Sequence, residues 1–365
     1  MRPFLLSFLF VVSMLGGCLE ERQIIIEDCT FESSSSQTDT LYILSYDILA
    51  FDEALIDEFE NRSGYTVEFI LADDAGGILN TMMLMKDQPQ ADLVIGLDNT
   101  YIQTAIDFCL IEPITIDVEH IQPELMSTYS EYGVPFDYGH VCLNADTSVF
   151  DANLESPTSL NNLTSPDWKG KVAFPSPLTS SPGRAFFLAT LGYFNHDIDQ
   201  TLEWWNDMKN NDLILTSGWT ESYEIHYSGG YGIWTEGHIG DAAITVSYCH
   251  SPGVEAYFSE NQTSSRAILF DEVSFKQIEY VSFTNGKTNR VAAESFTEFL
   301  LSYEVNQHMP TSNYMYSVLQ NTSLPVDSGY LWNSPIPSNS SHFDMTSTNS
   351  SIDDLLVLWS EVMLS

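Results

Sequence analysis

The chain is poor in basic side chains, with 12 Lys and Arg against 51 Asp and Glu in 365 residues and a formal net charge of −39. This imbalance repels polyanions, so nucleic acid and anionic lipid surfaces are disfavoured as partners. Most of the charge is expected on a solvated acidic surface. The same charge attracts cations to any cleft in the protein.

Catalytic motifs are also lacking. The sequence contains no Gly-x-Ser-x-Gly, no His-Glu-x-x-His, no Walker loop and no Cys/His cluster with zinc spacing. The eight histidines are scattered along the chain. The sequence therefore predicts a binding protein rather than an enzyme, with no cofactor and no metal.

The only markedly apolar run long enough to suggest membrane targeting is Phe4–Leu15. It is shorter than the roughly 20 residues that a spanning helix needs, and it predicts a secretion signal over residues 1–18. The two glycines before Cys18 resemble the lipobox of bacterial lipoproteins, which implies a lipidated Cys18 and a lipid-anchored protein on the outer face of the cytoplasmic membrane. An ordinary cleavage site is the alternative. Residues 19–40 are serine-rich and hydrophilic, and predict a flexible tether.

Four further cysteines are Cys29, Cys109, Cys142 and Cys249. Export permits disulfides among them, and four cysteines allow three pairings. The sequence does not choose between these pairings.

Short apolar runs alternate with amphipathic stretches from residue 41 onward. Strands are predicted at Leu41–Ser45, Val67–Leu71 and Asp92–Leu97, and helices at Asp52–Arg62 and Ile78–Met85. This alternation predicts an α/β fold with a parallel sheet covered by helices. Ligands of such sheets bind at the carboxyl ends of the strands, so the loops that follow these strands are expected to meet at one cleft.

A polar and aromatic segment, Val134–Gly139, predicts a first crossover between two lobes, and Ser247–Gly253 predicts a second. The predicted division is 41–136 plus about 252–312 for lobe 1, and 137–251 plus about 313–365 for lobe 2.

Aromatic residues fall at predicted strand ends and loops, beside small hydroxyl residues. For any one of them, packing in the core is the simpler explanation, but their shared polar setting favours a ligand cleft. The set consists of Tyr46, Trp219, Tyr223, Tyr248, Tyr314 and Tyr316.

Six blocks of sequence, taken in order, resemble the thiamine-binding periplasmic proteins that serve ABC importers. They are Ala91–Thr100, Val134–His140, Thr179–Arg184, Ser217–Glu224, Val246–Gly253 and Pro310–Ser317. The resemblance spans Leu41 to Pro325. It implies the bilobal type II periplasmic-binding-protein fold, with two mixed sheets flanked by helices and a ligand cleft between the lobes. It also implies a monomer that binds thiamine or thiamine mono- or diphosphate and delivers it to an ABC permease and its ATPase.

Carried over residue by residue, the resemblance implies a set of ligand-binding positions. They are Tyr46, Asp74, Ala75, Ser180, Ser181, Trp219, Tyr248, Cys249, His250, Ser251 and Tyr314. The aromatic faces suit the thiazolium cation, since one cation–π contact contributes roughly 0.5–2 kcal/mol. Asp74 would accept from the aminopyrimidine amine or offset the cation, and Ser180 and Ser181 would bind the hydroxyethyl group or a phosphate. The chain departs from the family at Cys249 and His250, which replace two threonines.

Two other functions stay open at this point. One is a receptor for another small cation, such as a polyamine, or for ferric ion, to which Tyr248, His250 and Asp74 would contribute ligands. The other is a secreted thiamine-processing enzyme with Cys249 as nucleophile and His250 or Glu221 as its base.

Overall fold

The structure is a computed structural model that describes residues 29–31, 38–46, 51, 53–72, 74–151, 154–229, 240–270, 273–286, 289–341 and 351–365. The predicted signal, Cys18 and most of the predicted tether lie outside these ranges. Within them, no helix has both the length and the apolar character that crossing a bilayer requires.

In the first part of the chain, strands and helices alternate as predicted, with ends that shift by a few residues. The elements are β1 (Thr40–Tyr46), α1 (Glu53–Ser63), β2 (Thr66–Ala72), α2 (Ala75–Leu84), β3 (Leu93–Asp98), α3 (Ile102–Asp107), β4 (Ile111–Glu112) and β5 (Val134–Asp146). Strand β1 lies between β2 and β3 and runs parallel to both. All six residues of β3 are buried, as expected for a parallel strand covered on both faces.

The remaining elements complete a mixed sheet with helices packed against it. They are β6 (Val172–Pro175), α4 (Ser181–Tyr193), α5 (Ile198–Asn210), β7 (Ile214–Thr216), β8 (Ile244–Tyr248), α6 (Ser251–Phe258), β9 (Ser265–Ile268), β10 (Phe275–Thr284), α7 (Arg290–Leu300), α8 (Tyr303–Asn306), α9 (Met309–Ser312), β11 (Tyr316–Ser317) and α10 (Ile352–Met363). In the described part of the chain the sheet order is β2-β1-β3-β10-β5-β8-β6-β7. Strand β4 pairs with β10, and β9 and β11 pair with β5.

Two separate hydrophobic cores lie along this sheet. The first includes Leu41, Phe59 and Tyr280, and the second includes Phe174 and Trp205. Each half of the sheet therefore has a hydrophobic core of its own.

Strands β5 and β10 pass from one core to the other. Phe136 packs in the first core and Val141 in the second, and along β10 the change comes between Phe275 and Ile278. The two strands pair antiparallel through this region. The change of core thus falls between Phe136 and Val141 on β5 and between Phe275 and Ile278 on β10, and the crossovers at Val134–Gly139 and Ser247–Gly253 stay predictions. The two mixed halves are joined into one hydrogen-bonded sheet by these strands.

Core membership also bears on the predicted lobes. Ile268 and Val273 pack in the second core, Val318 packs in the first, and Trp359 of α10 packs in the second. Ile268, Val273 and Val318 thus pack with the core opposite to their predicted lobe, whereas Trp359 packs with the core of its predicted lobe.

Two disulfides, Cys29–Cys109 and Cys142–Cys249, select one of the three possible pairings. The first ties the segment before β1 to the end of α3. The second joins β5 to the residue that follows β8, beside the crossing between the two cores.

Candidate ligand-binding site

A cavity of about 610 Å³ lies where the two cores meet. Tyr46 and Glu279 reach it from elements of the first core, and Ser181 and Trp219 reach it from elements of the second. Nine of the eleven predicted ligand positions line it: Tyr46, Asp74, Ala75, Ser181, Trp219, Tyr248, His250, Ser251 and Tyr314. Tyr46 and Asp74 thus bring the ends of β1 and β2 to the cavity, whereas Leu97, Asp98 and Asn99 after β3 do not line it.

One wall of the cavity is aromatic. Trp219 stacks on Tyr223 with ring centroids 4.9 Å apart and planes inclined by 15°, and Tyr223 stacks in turn on Tyr227 at 5.6 Å. Trp219 Nε1 donates to Ser247 Oγ at 2.8 Å, which fixes the rotation of the indole. The chain here forms a π-helical turn, Glu221–His226, a rare geometry that is frequent at functional sites. The indole is thus held by stacking and by a hydrogen bond before any ligand arrives.

Tyr46 is held in the cavity by a close approach to Gly96. That glycine has a φ of +103°, and a Cβ atom there would lie 2.4 Å from the Tyr46 ring. Only glycine provides both the backbone conformation and the space. The Tyr46 ring therefore packs directly against the backbone of β3 at Gly96.

The inner end of the cavity is acidic. Glu279 of β10 is buried, accepts from the Tyr46 hydroxyl at 2.9 Å through Oε2, and accepts from Gln277 Nε2 at 3.1 Å through Oε1. Burial raises the pKa of Glu279 to about 8, and the neighbouring Asp98 and Asp74 charges add to the shift. This carboxyl is consequently protonated in the empty cavity at neutral pH.

A second buried carboxyl, Asp137 of β5, lies close by. Asn313 Nδ2 donates to Asp137 Oδ2 at 2.7 Å and to the Tyr46 hydroxyl at 3.2 Å. Burial, followed by repulsion from Glu279, raises the pKa of Asp137 well above its ordinary value. Buried carboxyls without a cationic partner are costly, so this arrangement suits a ligand that brings positive charge.

Asp74 links the two halves of the molecule. As the N-cap of α2 it accepts from Gly76 N at 3.0 Å through Oδ1, and its Oδ2 accepts from Ser181 N of α4 at 3.2 Å. Burial raises its pKa to about 6, against the lowering effect of these amides. The carboxylate expected to face the ligand amine thus also joins α2 to α4 across the cavity.

His250 lines the cavity as a neutral ring. Its Nε2–H donates to the Tyr314 carbonyl at 2.7 Å, and burial lowers its pKa to about 4. The other ring nitrogen, Nδ1, is then an acceptor, and it is buried without a hydrogen-bond partner among the described residues. Tyr314 itself has a φ of 59°, an unusual conformation for a bulky residue, and its half-exposed ring meets Phe258 edge-on at 5.7 Å.

Two predicted positions, Ser180 and Cys249, do not line the cavity. Ser180 is buried and caps α4, with its Oγ accepting from Gly183 N at 3.4 Å. Cys249 is buried in the disulfide with Cys142. The hypothesis of a Cys249 nucleophile is therefore wrong for the disulfide-bonded protein, because nucleophilic attack requires a free thiolate.

Gln277, Glu279 and Asn313 line the cavity but were not predicted. The first two lie on β10, in which every residue except Lys276 is buried. Strand β10 also carries Lys276 and Ser282, so Glu279 does not stand out in the sequence, and only the packing of β10 between β3 and β5 brings it to the ligand cavity.

The chain matches the family of bacterial extracellular solute-binding proteins over residues 54–323. It belongs to that family. The match covers both sides of the cavity, from α1 to beyond β11. Members of this family act outside the cytoplasm, which agrees with the predicted export.

Individual relatives carry more specific names. The thiamine-binding periplasmic protein of Salmonella typhimurium is 26% identical over 282 residues, which cover 76% of this chain and 80% of that protein. A solved structure of a periplasmic thiamin binding protein superposes with a TM-score of 0.74 at 23% identity, covering 89% of this chain and 96% of the other. The ferric binding protein from Campylobacter jejuni superposes with a TM-score of 0.68 at 17% identity, covering 88% and 99% of the two chains. These superpositions establish the bilobal type II periplasmic-binding-protein fold, while their differing names show that this fold serves several ligands.

Proposed function

We propose that this protein captures thiamine, or a thiamine phosphate, outside the cytoplasm and delivers it to an ABC importer. One observation carries the proposal: a fixed aromatic wall and a buried acidic end share a single cavity of about 610 Å³. The names of the similar proteins from Salmonella typhimurium and other bacteria support the same ligand.

Thiamine fits the chemistry of this cavity in two ways. Its thiazolium ring carries a permanent positive charge, and aromatic faces such as that of Trp219 attract it by roughly 0.5–2 kcal/mol each. Its aminopyrimidine is flat and carries an amine, which can donate to the carboxyl of Glu279 or Asp74. A polyamine would use the acidic end equally well but would leave the stacked indole without a flat partner.

Capture is proposed to proceed by closure of two lobes about β5 and β10. Core membership favours lobes of about 41–136 plus 278–319, and about 141–275 plus 351–365, in place of the division predicted from the sequence. The contact between Asp74 and Ser181 N spans the lobes and favours the closed form. Closure would signal the permease, with a monomer held near it by a lipid at Cys18.

Calorimetric titration of the purified chain tests the proposal, with thiamine, its mono- and diphosphates, spermidine and ferric citrate as ligands. We expect saturable one-site binding of at least one thiamine compound and no comparable heat from spermidine or ferric citrate. Among the described residues, no group of three or more His, Cys, Asp and Glu is arranged to hold a metal ion.

Matched tryptophan variants locate the site. Trp219→Ala should weaken binding about tenfold or more, since it removes a stacking face worth on the order of 1–2 kcal/mol. Trp332→Ala removes an indole that is 79% exposed and does not line the cavity, and it should leave affinity unchanged. Equal effects of the two substitutions, or the absence of binding by any thiamine compound, would contradict the proposal.

A further inference from the structure

Arg184, in the first turn of α4, is a buried cation at the boundary between the two proposed lobes. Only 4% of its surface is exposed, and it does not line the ligand cavity. The next residues of α4, Ala185 and Phe186, pack in the second core, so the backbone of Arg184 belongs to the second lobe. A buried guanidinium is costly unless its surroundings compensate the charge.

The guanidinium has one contact within its own lobe and one across the boundary. Its Nη2 donates to Asp353 Oδ1 at 2.9 Å, and Asp353 lies in the first turn of α10, whose Trp359 packs in the second core. Its Cζ lies 4.0 Å from the centroid of the Tyr101 ring, which packs in the first core. The cation is therefore held by the second lobe and lies over an aromatic face of the first.

A buried carboxyl of the first lobe also interacts with this cation. Asp98, at the end of β3, accepts from Thr100 N at 2.6 Å and from Thr100 Oγ1 at 2.7 Å through Oδ1, while its Oδ2 is buried without a hydrogen-bond partner among the described residues. Burial raises the pKa of Asp98, and the bonds from Thr100 and the charge of Arg184 oppose that rise. Loss of the guanidinium would leave this carboxyl less compensated when the lobes are together.

The same turn of α4 makes a second contact across the boundary, because Ser181 N donates to Asp74 Oδ2 at the cavity. This turn is fixed against its own lobe at Gly183, where a Cβ atom would lie 2.4 Å from the Pro175 carbonyl oxygen. Both contacts across the boundary thus start from one firmly packed element.

We propose that Arg184 is a latch that stabilises the closed form of the two lobes. Asp353 holds its guanidinium in the second lobe, and closure brings the Tyr101 ring and the Asp98 carboxyl against it. A cation over an aromatic face is attracted more strongly when water is excluded, so the latch acts in the closed form. The inference rests on the proposed closure of the lobes, and it makes Arg184 a positioning residue that acts without touching the ligand.

Thiamine binding to the full chain tests the latch. Arg184→Gln removes the cation and should raise the Kd about tenfold or more, mainly through faster dissociation, because the ligand leaves from the open form. Tyr101→Leu removes the aromatic face from the opposite lobe and should have the same effect, so the test does not depend on Arg184→Gln alone. Tyr101→Phe keeps the face and should lose less affinity. Calorimetry measures the Kd, and stopped-flow displacement measures the dissociation rate.

Arg290 provides a matched control within one lobe. Its Cζ lies 4.2 Å from the centroid of the Phe283 ring, and it pairs with Glu112 and Glu294, all of them in the first lobe. Arg290→Gln should lower the midpoint of thermal unfolding, yet leave the Kd for thiamine within about twofold of the unaltered value.

Small-angle X-ray scattering without added ligand tests the latch independently of thiamine. Arg184→Gln and Tyr101→Leu should each give a larger radius of gyration than the unaltered chain, whereas Arg290→Gln should not. Equal radii in all four proteins would overturn the latch.

The binding results separate the latch from the proposed function. Thiamine affinity that is unchanged in Arg184→Gln, or lowered equally in Arg290→Gln, would overturn the latch and leave the capture of thiamine standing. Failure of every thiamine compound to bind the unaltered chain would overturn the proposed function, and the scattering comparison would then decide the latch by itself.

Discussion

Thiamine binding should be strongly pH-dependent because of Glu279. In the empty cavity this carboxyl has a pKa of about 8, raised first by burial. A cation bound beside it stabilises the ionised form, so binding releases a proton. The affinity should therefore rise with pH until the carboxyl of the empty protein is itself ionised.

The size of the effect follows from the fraction of the empty protein that is ionised. With a pKa of about 8, Glu279 is about 1% ionised at pH 6 and half ionised at pH 8, which predicts about a 50-fold gain in affinity over that interval if the bound carboxyl stays ionised. At pH 7 binding should release about 0.9 proton.

The other titratable groups near Glu279 do not produce the same change in affinity between pH 6 and pH 8. Asp74, with a pKa of about 6, is already half ionised at pH 6, so its ionisation accounts for at most about a twofold change over the interval, and the pKa of Asp137 is raised well above its ordinary value by the same burial. Tyr46 and Tyr248 remain neutral because burial raises their pKa values well above 10.0. Asp98 is buried and its pKa is also raised.

Calorimetry at several pH values, repeated in buffers of different ionisation enthalpy, measures both the affinity and the number of protons released. Glu279→Gln keeps the shape of the side chain but cannot ionise, so its affinity should be nearly constant from pH 6 to pH 8 and should fall below that of the unaltered protein by a margin that widens as the pH rises. Glu361→Gln on α10 serves as the control and should keep the full dependence. A constant affinity without proton release in the unaltered protein would refute the reasoning.

Three other predictions concern stability and the shape of the site. Replacing both Cys142 and Cys249 by Ala should lower the free energy of unfolding by about 2–5 kcal/mol in denaturant titrations, because the bridge closes a loop of 107 residues in the unfolded chain; an unchanged midpoint would contradict this. Burial raises the pKa of Glu255 to about 7, so its contribution to stability is present below about pH 4.5 and is lost as the pH rises through 7. Glu255→Gln should reduce that loss, and thermal unfolding curves with the same pH dependence in both proteins would count against it. Gly96→Ala should weaken thiamine binding about tenfold, since the new Cβ would displace the Tyr46 ring at a backbone angle that costs roughly 1–3 kcal/mol; unchanged affinity would show that the ring position is unimportant.

Much of the fold could be predicted from local patterns. The apolar run at Leu41–Ser45 and the periodic stretch at Asp52–Arg62 identify a strand and a helix, and their alternation predicts a sheet whose strands end at one edge. Tyr46 and Asp74 follow two of those strands, and both line the cavity. These predictions hold because backbone periodicity and strand direction depend on residues close together in the chain.

The tertiary structure alone decided which distant groups meet. It paired Cys142 with Cys249, brought Glu279 to Tyr46 across 233 positions of the chain, and placed the Asp74 carboxylate against the amide of Ser181. Burial, pairing and pKa depend on what other elements pack around a group, and no local pattern records that. The sequence by itself therefore determined the elements and the class of protein, while the packing of the two cores determined the charge and hydrogen-bonding character of the site.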